Sequence, residues 1–277
     1  MNGNGVARGS KMSVDVIVPI KRLGLNWTDF FDNWFGELPI DHVFVGDAGH
    51  SNMAITERYP VVTVLDQSGY QSLAYCIQEL IDHVRSDWFV YLHSDVKLTH
   101  GWFEEMQKFQ GTYDWFESKS TLVYPDAHKV VMDSQFACRR AYSGAQMGRT
   151  KCFRSLRRLD DDYGYRCEDL IFQEWIEEAD FKYGKVPSAS HSHFVNPKDD
   201  DVVAVAKDMI AGHIKYLNPE RKENVRVLNS NVRKLRKLGV WDSDEWFHLF
   251  HTHPKWIPKL EPAWKSRLVN AYLKVKG

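Results

Sequence analysis

The sequence predicts an α/β fold: a mostly parallel sheet flanked by helices, with a helical appendage at the C-terminal end. Three observations predict it. Short runs that are apolar on both faces, as buried parallel strands are, recur at 14–19, 42–45, 61–65 and 87–92. Stretches with helical apolar spacing separate them, so strands and helices alternate. Each run also passes into polar residues just past its C-terminal end, the edge along which such sheets carry ligands.

In order, Val14 to Pro19 reads as the first strand, followed by Ile20 and Lys21, and Trp27 to Phe35 reads as a helix. His42 to Val45 is the second strand and closes on Gly46-Asp47-Ala48-Gly49. Val61 to Leu65 is the third and ends in Asp66; Gly69 then leads into a helix from Leu73 to Val84, with Leu73, Ile77, Leu80, Ile81 and Val84 on one face. Asp87 to Leu92 is the fourth strand and runs into His93-Ser94-Asp95. A helix over Gly101 to Phe109 precedes a less regular stretch, 111–133, that contains strand-like Thr121 to Tyr124. Glu168 to Ala179 is a helix with Leu170, Ile171, Trp175 and Ile176 apolar, and a short strand from Lys182 to Val186 leads to Pro187 and on to His191-Ser192-His193. Val202 to Tyr216 and Arg221 to Leu238 are helical. The expected organisation is a flexible tail or tag over 1–12, the α/β domain over 13–200 and a helical extension over 201–277.

Composition bounds the partners. The 277 residues are 43% apolar, enough for a sizeable core. Lysine plus arginine (36) balances aspartate plus glutamate (37), so no global field draws nucleic acid. Four cysteines without CxxC spacing read as reduced thiols of a cytoplasmic protein. Residues 1–11 have no apolar core of a signal peptide, and no apolar run reaches the roughly 18 residues of a membrane span. The tail interleaves Trp241, Trp246, Phe247, Phe250, Trp256 and Trp264 with Lys255, Lys259, Lys265 and Lys274. A helical cap is the expected role of this segment, with peripheral membrane contact as the alternative.

The chemistry is expected at the strand ends. A carboxylate such as Asp95 at the end of a strand buried on both faces is costly unless it meets a cation. Asp47, and more weakly Asp66, can accept hydrogen bonds from a base or ribose, although Asp before Ala-Gly also forms turns. Lys21 and Arg22 suit a diphosphate. The arginines of Cys152 to Arg158 suit an anion or, as the default, a solvated face paired with Asp160 to Asp162. Glu168 and Asp169 open a helix, where acids also complement the dipole.

The order of these pieces resembles a family 2 glycosyltransferase of the GT-A fold, over about residues 13 to 195. The pieces are a strand ending in Pro19, Gly46-Asp47-Ala48-Gly49, the Gly69 helix, His93-Ser94-Asp95, Arg166-Cys167-Glu168-Asp169 and His191-Ser192-His193. The resemblance implies transfer of a sugar from a nucleotide-diphosphate sugar, first a UDP-sugar, to the hydroxyl of a glycan, lipid-linked or other acceptor, with inversion. It implies a Mn²⁺ or Mg²⁺ ion held by Asp95, matching the last acid of the DxD motif, and by His193 or His191. The two histidines are expected to point to opposite sides of the chain, so that one faces the site. Asp169 is the implied general base. Pro19, Ile20, Lys21, Asp47, Asp66, Gly69, His93, Ser94 and Asp95 are the implied nucleotide-sugar contacts. The departure is His93 where the first DxD acid stands. It motivates an alternative: a GT-A-like domain that binds a nucleotide sugar or glycan without turnover. A nucleotidyltransferase is disfavoured because Lys21-Arg22-Leu23-Gly24 is not a glycine-rich phosphate loop.

Overall fold

The computed structural model describes residues 12–20, 27–49, 53–70, 72–133, 141, 144–159, 167–195 and 202–260, except position 242. Its strands are β1 (Val14–Ile20), β2 (Ile40–Asp47), β3 (Val62–Asp66), β4 (Trp88–Leu92), β5 (Val96–Leu98), β6 (Trp115–Val123), β7 (Lys129–Val131), β8 (Ala145–Arg149) and β9 (Tyr183–Phe194). The helices are α1 (Trp27–Glu37), α2 (Met53–Arg58), α3 (Leu73–His83), α4 (Trp102–Gln107), α5 (Thr150–Arg154), α6 (Glu168–Glu178), α7 (Val202–Tyr216), α8 (Lys222–Lys237) and α9 (Ser243–Thr252), with a 3₁₀ turn at Pro254–Lys259.

The strands form a single sheet in the order β3-β2-β1-β4-β8-β6-β9-β5, with β7 hydrogen-bonded to β6. The expected parallel arrangement holds for β1 to β4. Beyond β4 the sheet is mixed, because β8 runs antiparallel to both β4 and β6 while β6 and β9 are parallel. Val14, Val16, Val18 and Ile20 of β1 pack with Val90 and Leu92 of β4 against Phe31 and Trp34 of α1, Ile55 of α2 and Trp102 of α4. Their burial drives the assembly of this layer.

Two elements differ from expectation in a way that shapes the site. The short strand expected to stop at Val186 continues to Phe194 as β9. Ser118 pairs with Val186 and Lys119 with Ser190, so Pro187 to Ala189 are accommodated in a bulge, where the missing N–H of proline does no harm. The unexpected three-residue β5 sits at the sheet edge, antiparallel to β9. Asn33 of α1 substitutes for a neighbouring strand there: its amide donates to Leu98 O at 3.0 Å and its oxygen accepts from Leu98 N at 2.7 Å. The Trp34 indole donates to Val96 O at 2.8 Å. These bonds satisfy an edge that would otherwise be open.

The described residues group into two compact units: one from those within 12–70, 76–158 and 176–195, the other from those within 72–75, 159–175 and 202–260. The first holds the whole sheet. In the second, Trp246, Phe250 and Trp256 are buried, and the Trp256 indole donates to Ile214 O at 3.0 Å. Three of the aromatics considered for a membrane surface therefore belong to the core of the helical unit. The Phe247 side chain and Trp264, Lys265 and Lys274 lie outside the described residues. Among the described residues no helix is long and apolar enough to cross a membrane.

Candidate active site

Parallel pairing brings the C-terminal ends of β1, β2, β3 and β4 to one edge. Ile20 is in register with Asp47, and Asp47 with Asp66. Pro19 pairs with Gly46, and Ile20 O accepts from Ala48 N at 2.9 Å. Asp47 is buried and accepts from Gly49 N at 2.8 Å; Asp66 is exposed and accepts from Ser68 N at 3.0 Å. Both carboxylates thus form Asx turns, the alternative role the sequence offered for Asp47. A Cβ at Gly69 would meet nothing within 4 Å, so sterics do not demand glycine there. Lys21 and Arg22 lie outside the described residues.

At the same edge β4 turns sharply. His93 N donates to Gly144 O at 2.8 Å, Val96 N to His93 O at 3.3 Å, and Phe194 N to Asp95 O at 2.9 Å. Ser94 sits half-buried within the turn. Antiparallel pairing sets Val96 opposite His193, which brings His193 beside the Asp95 side chain. His193 Nε2 lies 3.1 Å from Asp95 Oδ1, and the His93 and His193 rings are 5.3 Å apart at 84°. One ligand atom from each of His93, Asp95 and His193 falls within 4.8 Å of the other two.

His191 and His193 do not point to opposite sides. Residues two apart on a strand share a face, and their rings are 6.5 Å apart. What separates them is depth. His191 is buried and shares a 2.8 Å hydrogen bond with Ser118 Oγ, while His193 is part-exposed beside Asp95. His193 is therefore the histidine that meets Asp95, and His191 lies behind it.

Electrostatics prepare the cluster for a cation. Burial, then the charge on His193, pushes the His93 imidazole down to about 4 against the pull of Asp95. Burial and the neighbouring histidines push His191 down to about 3. Burial works to raise the Asp95 carboxyl, but the hydrogen bond and charge of His193, with His93, outweigh it and the net shift is downward. Near neutrality Asp95 is a carboxylate and His93 and His191 are neutral imidazoles, the forms that ligate metals. His93 Nε2 is shielded from solvent with no hydrogen-bond partner among the described residues, a cost that a bound ion would relieve. The donor set fits a divalent metal.

The other expected residues are placed differently. Asp169 lies in the first turn of α6, within the second unit. Arg154 Nη2 donates to Ile81 O, Asp82 O and Val84 O, closing the end of α3. Arg157 meets Glu178 at 3.5 Å, and Arg158 meets Asp82. These arginines have structural partners; Asp160 to Asp162, the partners expected from the sequence, lie outside the described residues. Gln67 was not anticipated: it is buried over Gly46, where a Cβ would stand 1.9 Å from its Oε1, and its amide donates to Cys76 O and Glu79 Oε2. Only the glycine before Asp47 hinted at so close an approach.

No protein-family model and no curated protein sequence matches the chain. Solved structures do. The crystal structure of GalNAc-T7 with UDP, GalNAc and Mn²⁺ superposes with a TM-score of 0.60 at 10% identity, covering 88% of this chain and 56% of that one. The S. aureus TarS 1-349 complex with UDP-GlcNAc superposes with a TM-score of 0.56 at 14% identity, covering 90% and 79%. The fold is GT-A. The chain thus spans little more than half the length of the first of these proteins. At such identities the likeness is one of architecture, and the GT-A sheet accounts for the parallel edge that carries Asp47, Asp66 and Asp95.

Proposed function

We propose that the protein is a nucleotide-sugar-dependent glycosyltransferase acting on a hydroxyl acceptor, with inversion, through a divalent metal and Asp169 as general base. The observation that carries this reading is the His93, Asp95 and His193 cluster at the strand-end edge of a GT-A sheet. The ligands in the two superposed structures, UDP in one and UDP-GlcNAc in the other, favour a UDP-sugar donor. A metal held by Asp95 and His193 would neutralise charge on the departing diphosphate. Asp47 and Asp66, at the ends of adjacent strands, have the chemistry to hold the ribose or base, with Pro19, Ile20, Gly69 and Ser94 beside them in the strand-end segments. Lys21 has the charge to meet the diphosphate.

The acceptor oxygen attacks the anomeric carbon as that carbon's bond to the diphosphate oxygen breaks. Its proton passes to the Asp169 carboxylate, and the bonding electrons leave with the nucleoside diphosphate. A single displacement inverts the anomeric centre. A family 2 assignment, a cytoplasmic location and a glycan or lipid-linked acceptor belong to the same reading.

The test is release of nucleoside diphosphate from a panel of nucleotide sugars with Mn²⁺ or Mg²⁺. Asp169→Asn is expected to lower turnover by about 10²- to 10⁴-fold while nucleotide binding, read by thermal shift, persists. Binding without release from any donor would favour the domain that binds without turnover.

A further inference from the structure

Donor atoms decide which divalent ion a site holds. Oxygen sets suit Mg²⁺, whereas imidazole nitrogens suit the later first-row ions. His93 is built as a donor. Its main chain is pinned to Gly144 O at 2.8 Å, and its ring packs against Tyr91 at 5.4 Å and His193 at 5.3 Å. Gly144 leaves it room: a Cβ there would stand 3.2 Å from His93 Cγ and Nδ1 and 2.9 Å from Val96 Cγ2. The ring is thereby confined, with its Nε2 shielded and unpartnered among the described residues and a nitrogen within 4.8 Å of both other donors.

We infer that His93 is itself a metal ligand and sets the metal preference of this centre, completing with His193 and Asp95 a two-nitrogen, one-oxygen set that holds transition ions in preference to Mg²⁺. A histidine at this position is therefore no loss of a metal site. It exchanges a hard oxygen for a nitrogen, and it supplies enough protein donors for an ion to bind before any nucleotide arrives. The inference rests on the reading of the cluster as a metal centre and is independent of which sugar moves.

The experiment titrates the full chain with the metal alone, by calorimetry for Co²⁺, Zn²⁺, Mn²⁺ and Mg²⁺ and by visible absorption for Co²⁺. Co²⁺ and Zn²⁺ are expected to bind one per chain, with Mg²⁺ far weaker. His93→Gln should weaken Co²⁺ by at least about tenfold and shift its absorption, since losing even an outer partner of a ligand costs 10- to 100-fold. His93→Asp should narrow the gap between Co²⁺ and Mg²⁺. Circular dichroism checks the variants, and the wild-type series decides the preference even where a variant fails to fold.

Wild-type affinity for Mg²⁺ equal to that for Co²⁺, no binding of any ion, or Co²⁺ affinity and absorption unmoved in a folded His93→Gln would each overturn the inference. Sugar transfer surviving such a result would leave the proposed activity standing. Conversely, a His93-dependent Co²⁺ site in a protein that turns over no nucleotide sugar would refute only the activity.

Discussion

His191 and His93 are held neutral by the fold, and acid exposes the cost of that. In the unfolded chain a histidine takes up its proton near pH 6.5, whereas in the fold His93 does so at about 4 and His191 at about 3. The unfolded state therefore binds more protons as pH falls through this window, and stability falls with it. In the metal-free protein, kept in chelator, the melting temperature is expected to drop progressively from pH 6.5 towards 4. Above pH 6.5 neither group contributes a slope. His191→Asn should flatten the decline, and an unchanged slope in that variant would remove His191 as its source. Both histidines were visible in the sequence, but their depth was not. For His191 that depth depends on Ser118 and on the flanking strands β5 and β6, which no local pattern around it encodes.

At the scale of elements, the sequence marks those whose periodicity is self-contained. α7 matches its expected bounds, and α3 and α8 fall within a residue of theirs. Where α8 ends, Gly239 adopts a φ of +71°, its N–H donates to Arg236 O at 2.8 Å, and Val240 N donates to Leu235 O at 3.0 Å. This double closure needs a left-handed residue, which glycine takes without strain. Gly239→Ala is expected to cost about 1 kcal/mol in urea denaturation. Gly111→Ala, where a Cβ meets nothing within 4 Å, is the near-neutral control. The edge elements were not legible. β5 is three residues long and owes its existence to β9 on one side and Asn33 on the other. β8, Ala145 to Arg149, carries little strand propensity and is a strand because β4 and β6 flank it.

For the molecule as a whole, the thiols report how far the fold excludes solvent. Cys76, Cys152 and Cys167 are buried thiols, none of them in a disulfide. Burial, followed by the charge on Asp114, pushes the Cys152 thiol up to about 11, far from the reactive thiolate at neutral pH. In the native protein these three cysteines are expected to resist a maleimide at pH 7 and to label together on unfolding, as peptide mass spectrometry would read. Rapid native labelling of Cys152 would show that the layer over β8 opens without global unfolding. Cys138 lies outside the described residues.

The alternation of strand and helix, the parallel half of the sheet and the edge on which Asp47, Asp66 and Asp95 fall were all legible along the chain. Each of these follows from patterns written within a single segment: burial on both faces of a strand, and a polar residue where it ends. That His193 rather than His191 meets Asp95, and that His93 joins them, emerges in the folded protein alone. That choice lies in the register of β5 against β9 and in the space left by Gly144, contacts between residues far apart along the chain. Strand pairing of this kind is settled by the collective packing of the sheet, so no segment carries it alone.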